Sequence, residues 1–258
     1  MNSLPALSPG DLSAFMQGLP SVEACRAELE RRQGGRFRTI FPDTGPYRRE
    51  LYPKHTEFIR LGATVRERLF LKANRTGGTV LGAFETVAHA TGLYPPWWDG
   101  RRFTSANNWW VAGDTAETTR NILQLELLGP PGQPHLQGTG MIPSDVLYHT
   151  TPGRITNSVG TIYVRHASGD LSTIEFKAYD QGRRSFQGTQ KHGIWVDEEC
   201  PDDVYAECLL RTMETGTFEG GLVMLTFTPL LGMTPLVSSF LEDKDLDEVH
   251  NERLAASL

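Results

Sequence analysis

Arg68-Leu69-Phe70-Leu71-Lys72-Ala73-Asn74-Arg75-Thr76-Gly77-Gly78-Thr79 is the stretch on which the reading of this chain turns. Arg68 to Leu71 is a short apolar run of strand length. A helical pattern opens at Thr79, with Val80, Phe84 and Val87 on one face and Gly92 as its stop. A loop between a strand and a helix N-terminus is where phosphate oxygens are held. Successive backbone N–H groups form a concave nest there, and the helix end adds partial positive charge. Gly77 and Gly78 allow close approach because no Cβ intervenes, and the Thr79 hydroxyl suits Mg²⁺. Against the pattern G-x-x-x-x-G-K-[ST] the stretch departs twice. Lys72 stands where the first Gly belongs, and Gly78 where the Lys belongs. On these residues alone, a strand-turn-helix connection without a ligand stays open. The chemistry needs a cation that reaches the phosphates, not one at a fixed position. Lys72 or Arg75 could fold back to supply it, Lys as a point charge and Arg as a bidentate fork.

Downstream, Gly193-Ile194-Trp195-Val196-Asp197-Glu198-Glu199 is an apolar strand that ends in acids. Nucleotide hydrolysis uses one carboxylate for the Mg²⁺ shell and another to polarise the attacking water. Asp197 takes the first role and Glu198 the second, while Glu199 faces away as a helix N-terminal acid or a solvent group. The alternative is that the three acids only open the helix that starts at 202, where they favour the dipole. Met224-Leu225-Thr226-Phe227-Thr228-Pro229 is a further strand whose polar end can meet a ligand, or simply a strand and a turn.

Between these points strands and helices alternate. Asn108–Ala112 reads as a strand, followed by a helix capped at Asp114 or Thr115 and stopped by Gly129. Thr161–His166 and Ser172–Lys177 form a hairpin, and Asp202–Met213 a helix. The alternation predicts an α/β fold in three layers around a mostly parallel sheet. Residues 1–66 read as an N-terminal helical extension and connecting segment, with Ser21 capping a helix that carries Val22, Cys25 and Leu29. Residues 67–241 form the core, and the charged stretch 242–258 a C-terminal linker.

The chain has 258 residues, of which 39% are hydrophobic and 22% charged, too apolar for disorder. Its 25 Lys+Arg against 31 Asp+Glu leave a formal charge of −6, so bulk charge does not hold it to nucleic acid. Arg48-Arg49 and Arg101-Arg102 are local basic pairs, fit for DNA phosphates or merely solvated. Cys25, Cys200 and Cys208 are too irregularly spaced for a disulfide scaffold or a zinc module, and a reducing compartment is expected. Trp97-Trp98 and Trp109-Trp110 are expected to pack inside. Gly220–Leu241 is long enough for a membrane span, but Pro229 and Pro235 interrupt it, and it reads as a buried strand followed by a loop.

The loop at 72–79, the acid-tipped strand and Thr226-Phe227-Thr228-Pro229 occur in this order, together with two distinctive phrases. These are Thr91-Gly92-Leu93-Tyr94-Pro95-Pro96-Trp97-Trp98-Asp99-Gly100-Arg101-Arg102-Phe103 and Tyr179-Asp180-Gln181-Gly182-Arg183-Arg184-Ser185-Phe186-Gln187-Gly188. Over about residues 37–237 the chain resembles the ATPase half of tailed-phage terminase large subunits. That resemblance implies a P-loop NTPase core of the RecA-like, ASCE class and an ATP-hydrolysing, Mg²⁺-dependent motor that drives double-stranded DNA into a procapsid. It implies a phosphate-contacting Lys at the start of the loop, which is Lys72, with Ala73, Asn74, Arg75, Thr76, Gly77, Gly78 and Thr79 around the nucleotide. Thr79 and Asp197 belong to the metal, Glu198 to catalysis. Thr226 and Thr228 are implied as the coupling motif that senses the γ-phosphate. Many members carry an Arg-Gly pair before the acidic strand, whose Arg reaches a neighbour's site. Gln187-Gly188 stands there instead, and Arg183 or Arg184 is the expected substitute. Tyr47, Arg48 or Phe58 is expected at the adenine. Implied partners are the portal protein, the small terminase subunit and a ring of copies, usually five, with the isolated domain a monomer. The implied setting is the host cytoplasm. The family's nuclease domain is expected to be absent. A helicase-like P-loop translocase, and a nucleotide-binding assembly module with impaired hydrolysis at Gly78, are the alternatives.

Overall fold

The computed structural model describes residues 36–45, 47–73, 75–215, 219–241 and 253–257. The expected helix around Val22, Cys25 and Leu29 lies outside them. Apolar runs that alternate with amphipathic or buried helices build one mixed sheet. Its strands are β1 (Glu67–Leu71), β2 (Asn108–Gly113), β3 (Leu147–Pro152), β4 (Val159–Arg165), β5 (Leu171–Ala178), β6 (Gly193–Asp197), β7 (Leu222–Phe227) and β8 (Arg253–Ser257). The spatial order is β3-β4-β5-β2-β6-β7-β1-β8. The pairs from β5 through β2, β6, β7 and β1 to β8 are parallel; β3 and β4 are added antiparallel at one edge.

Strand alternation sends successive side chains to opposite faces and so defines two cores. Phe70, Trp109, Val111, Trp195 and Met224 pack on one face. They meet α1 (Pro53–Leu61), α2 (Gly78–Thr91) and a composite helix, α3, that runs through Ala116–Thr118, a π-helical Thr119–Gln124 and Leu125–Leu128. Leu69, Trp110, Ile194, Val196, Val223, Leu225 and Phe227 face the other way, against α4 (Asp202–Thr212) and α5 (Pro235–Leu241). The α/β layering follows the sequence expectation. Helix ends also fall where capping chemistry puts them. Thr115 makes a capping box with Thr118, and Gly92 closes α2 at φ 70°.

Three features depart from the sequence reading. β3 escaped it because Leu147-Tyr148-His149-Thr150-Thr151-Pro152 has no buried position and no apolar alternation; it is an edge strand with register shifts against β4. The loop expected after β7 contains α5, started by Pro235, with the Thr234 hydroxyl accepting from the Val237 N–H at 3.2 Å. Within the expected C-terminal linker, the backbone of 253–257 pairs with the outer edge of β1 as β8. Its apolar Leu254-Ala255-Ala256 run was hidden by the charged residues before it. Among the described residues no helix is long and apolar enough to cross a membrane.

Candidate functional site

The register of three neighbouring parallel strands assembles the site. Phe70 pairs with Thr226, and Thr226 pairs with Asp197, so β1, β7 and β6 bring these positions into one row at their carboxyl ends. Alternation keeps Lys72, Thr226 and Asp197 on the face covered by α2, whose first turn carries Thr79. Residues nearly the length of the core apart in sequence thus meet at one helix N-terminus.

Lys72 leaves the end of β1 and folds back beneath α2. Its Nζ lies 3.4 Å from Thr79 Oγ1, 3.7 Å from Asp197 Oδ1 and 3.9 Å from Glu198 Oε1. This contact explains Gly78. A Cβ built there would overlap Lys72 Cδ, so the stem of Lys72 fills the room that a side chain at 78 would need. Arg75 is exposed at φ 65° and does not share this cluster. Gly77 caps α2 at φ 88°, a conformation that favours glycine. Asn74 lies outside the described residues. Ala73 accepts from the Thr76 hydroxyl at 2.9 Å, which tightens the loop. From α1, His55 Nε2 lies 3.0 Å from the Thr76 carbonyl. Burial holds the imidazole below its ordinary value, so the neutral ring donates there and pins the loop from outside. No sequence motif singled out His55.

The Thr79 hydroxyl lies 3.2 Å from each Asp197 oxygen. Thr226 donates to Asp197 Oδ1 at 2.7 Å and itself accepts from the Trp195 indole at 2.8 Å. Thr226 is wholly buried, and its hydroxyl is engaged by Asp197 and Trp195. Thr228, two residues on, is half-buried at the strand exit. Burial pushes the Asp197 carboxyl above its ordinary range, against the pull of Lys72 and of both threonine hydroxyls. Glu198 is raised too, by burial first and by the Asp197 charge second. Its backbone has φ 68°, a conformation that costs a non-glycine residue roughly 1–3 kcal/mol. This sharp turn separates the acids. Glu198 stays beside Lys72, while the carboxylate of Glu199 accepts from the Thr234 hydroxyl at the start of α5.

Next to Gly77 and Val80 opens a cleft of about 450 Å³, lined also by Ile40, Phe41, Tyr47, Tyr52 and His55. Its size and aromatic walls suit a nucleobase. Of the residues expected at adenine, Tyr47 lines it; Phe58 is buried against Phe70 and cannot, and Arg48 is not in the lining. Arg183 and Arg184 sit on a 3-10 turn (Arg183–Phe186). Both are exposed, and Arg183 Nε is 3.0 Å from the buried Glu207. Arg49 and Arg102 lie over Trp97 and Tyr94, so these arginines take part in packing. Trp98, Trp109 and Trp110 are core residues, and Cys200 and Cys208 are buried free thiols, as expected.

Comparison with known proteins accords with this geometry. The chain is 36% identical over 210 residues to the terminase large subunit of Salmonella phage P22, a match of 74% of this chain and 41% of that protein. The chain therefore spans about two-fifths of the length of that relative. Solved structures share the fold. The large terminase of a thermophilic bacteriophage, in complex with ADP, aligns with a TM-score of 0.52 at 15% identity, over 80% of this chain and 44% of that one. The HK97 bacteriophage large terminase gives 0.52 at 15% identity over 84% and 40%. A model of the family described as terminase large subunit, T4likevirus-type, N-terminal, matches residues 69–256, most of the chain, and the protein belongs to that family.

Proposed function

We propose that this chain is the ATP-hydrolysing motor domain of a viral terminase large subunit, acting with ATP and Mg²⁺ to drive double-stranded DNA into a procapsid. The observation that carries this reading is the meeting of Lys72, Thr79 and Asp197 at the N-terminus of α2. The P-loop, RecA-like subclass is supported by β7 standing between the loop strand β1 and the acid-tipped β6. Among the described residues no group of three His, Cys, Asp or Glu side chains makes a metal cage. The oxygen pair of Thr79 and Asp197 suits Mg²⁺, which takes much of its shell from water and phosphate. When bound, the ion would draw off negative charge from the phosphoryl oxygens.

The chain's own groups then divide the work. Loop amides and Lys72 hold the β- and γ-phosphates, and the cleft at Tyr47 takes the base. Thr226 and Trp195 hold Asp197 in place. Glu198, a carboxylate with a raised pKa beside the loop, accepts the proton of the attacking water. The stem of Lys72 against Gly78 favours a working loop over the reading of Gly78 as a mark of lost hydrolysis. Arg184 is the better candidate to act on a neighbouring copy, since Arg183 is held by Glu207. Portal, small subunit, ring assembly and the host-cytoplasmic setting follow from the family and are part of this proposal. Glu198→Gln is expected to lower ATP turnover by roughly 10²–10⁴-fold, with nucleotide binding within a few-fold of the parent, measured by phosphate release and by titration of a fluorescent ATP analogue. Turnover at the parent rate would overturn the assignment.

A further inference from the structure

The left-handed turn at Glu198 persists only if its surroundings over-determine it. One side is held by backbone, because the Glu198 N–H donates to the Thr226 carbonyl at 3.2 Å. The other side is held by a residue from a different element. The Tyr179 hydroxyl lies 3.0 Å from the Asp197 carbonyl, 3.2 Å from the Glu198 carbonyl and 3.1 Å from the Ala112 carbonyl. Tyr179 opens the 3-10 turn (Tyr179–Gln181) that follows β5. Its ring is buried in the core on the α4 side of the sheet, near Phe186, Cys200 and Cys208. The hydroxyl therefore reaches from the face opposite α2 to the carboxyl ends of β2 and β6. It has one proton for three carbonyls, and no other residue type offers a rigid reach of this length with a donor at its tip.

We propose that Tyr179 is a positioning residue for Glu198. By gathering the carbonyls on both sides of the strained turn, it fixes the direction in which the Glu198 carboxylate leaves the backbone. Tyr179 itself does not touch the substrate. Without its hydroxyl the buried carbonyls lose their common donor, the turn relaxes towards an ordinary backbone conformation, and the carboxylate swings off the Lys72 side of the site. This inference rests on the proposed role of Glu198.

Tyr179→Phe deletes only the hydroxyl. It is expected to lower kcat by up to about 100-fold, the scale on which a misplaced catalytic group acts, with the affinity for a fluorescent ATP analogue within twofold of the parent. Amide hydrogen exchange of the nucleotide-free chain is expected to rise at residues 197–200. Phe186→Leu, which trims the neighbouring ring but keeps the hydroxyl, is the control for stability. It is expected to lower the unfolding midpoint while leaving kcat and exchange at 197–200 unchanged. Unchanged exchange at 197–200 in Tyr179→Phe would overturn the proposal whatever the turnover. So would an equal loss of kcat in Phe186→Leu. A parent chain that hydrolyses no ATP would instead count against the proposed function, and the exchange measurement would still decide the role of Tyr179.

Discussion

At position 78 the side chain is a hydrogen because Lys72 lies across the place where a Cβ would stand. The cation and the small residue have in effect changed places along the loop, and the ammonium ends beside Thr79 and Asp197 all the same. Such a swap is possible because a phosphate clamp is defined by where the charge ends, not by where its stem begins. Gly78→Ala is therefore expected to displace the Lys72 stem. ATP affinity should fall roughly tenfold or more, the value of a charged hydrogen bond, with little change in the unfolding midpoint. Nucleotide titration and a thermal melt of the same preparation check both halves. Binding as tight as the parent's would remove Lys72 from the phosphates.

At the scale of elements, α2 is the piece that joins the loop to the acids. It is buried almost all round, unlike an amphipathic surface helix, because β2, β4, β5, β6 and β7 lie beneath it and α1 and α3 flank it. Its seat depends on Gly82, where a Cβ would collide with the indole of Trp195. That indole is wholly buried and also donates to Thr226, which in turn donates to Asp197. A shift of α2 is thus passed to the Asp197 carboxylate. Gly82→Ala is expected to destabilise the fold by about 1–3 kcal/mol, as overpacking does, and to weaken nucleotide binding as well. Urea unfolding and a binding titration test this. A stable variant with parental affinity would show that α2 has slack at this contact.

For the molecule as a whole, burial of the Asp197 carboxylate at the carboxyl edge of the sheet opposes folding. The Asp197 pKa is raised in the fold, so the folded chain holds that proton more tightly than the unfolded chain does. The ionised carboxylate then opposes folding above its folded pKa, and the penalty is absent below the unfolded pKa. Asp197→Asn is expected to stabilise the chain near neutral pH while removing turnover. The gain should fade as pH falls through the folded pKa towards the ordinary carboxylate range, which urea melts at several pH values would follow. A variant less stable than the parent at neutral pH would mean that pairing with Lys72 outweighs burial. The trade is one that active sites commonly make.

Local chemistry made the parallel core legible: apolar runs of strand length, the Thr115 cap, the Gly92 stop and acids directly after a buried strand each carry a short-range signal. The same order of residues pointed to Lys72, Thr79, Asp197 and Glu198 as one site. What the chain order could not contain was contact across strands. The polar edge strand β3 leaves no apolar period to read, and the short apolar run of β8 follows a charged stretch that masks it. Thr226 reads as a free polar strand end until the indole of Trp195 and the carboxylate of Asp197 close around it. His55 belongs to no motif, and the phrase that holds Tyr179 says nothing of its role, since each acts through one side-chain atom on backbone carbonyls distant in sequence. Sequence alone determined which residues carry charge and which segments pair with water or with the core. Only packing in three dimensions decided which hydroxyl meets which carboxylate, because that depends on strand register and on the space left between side chains.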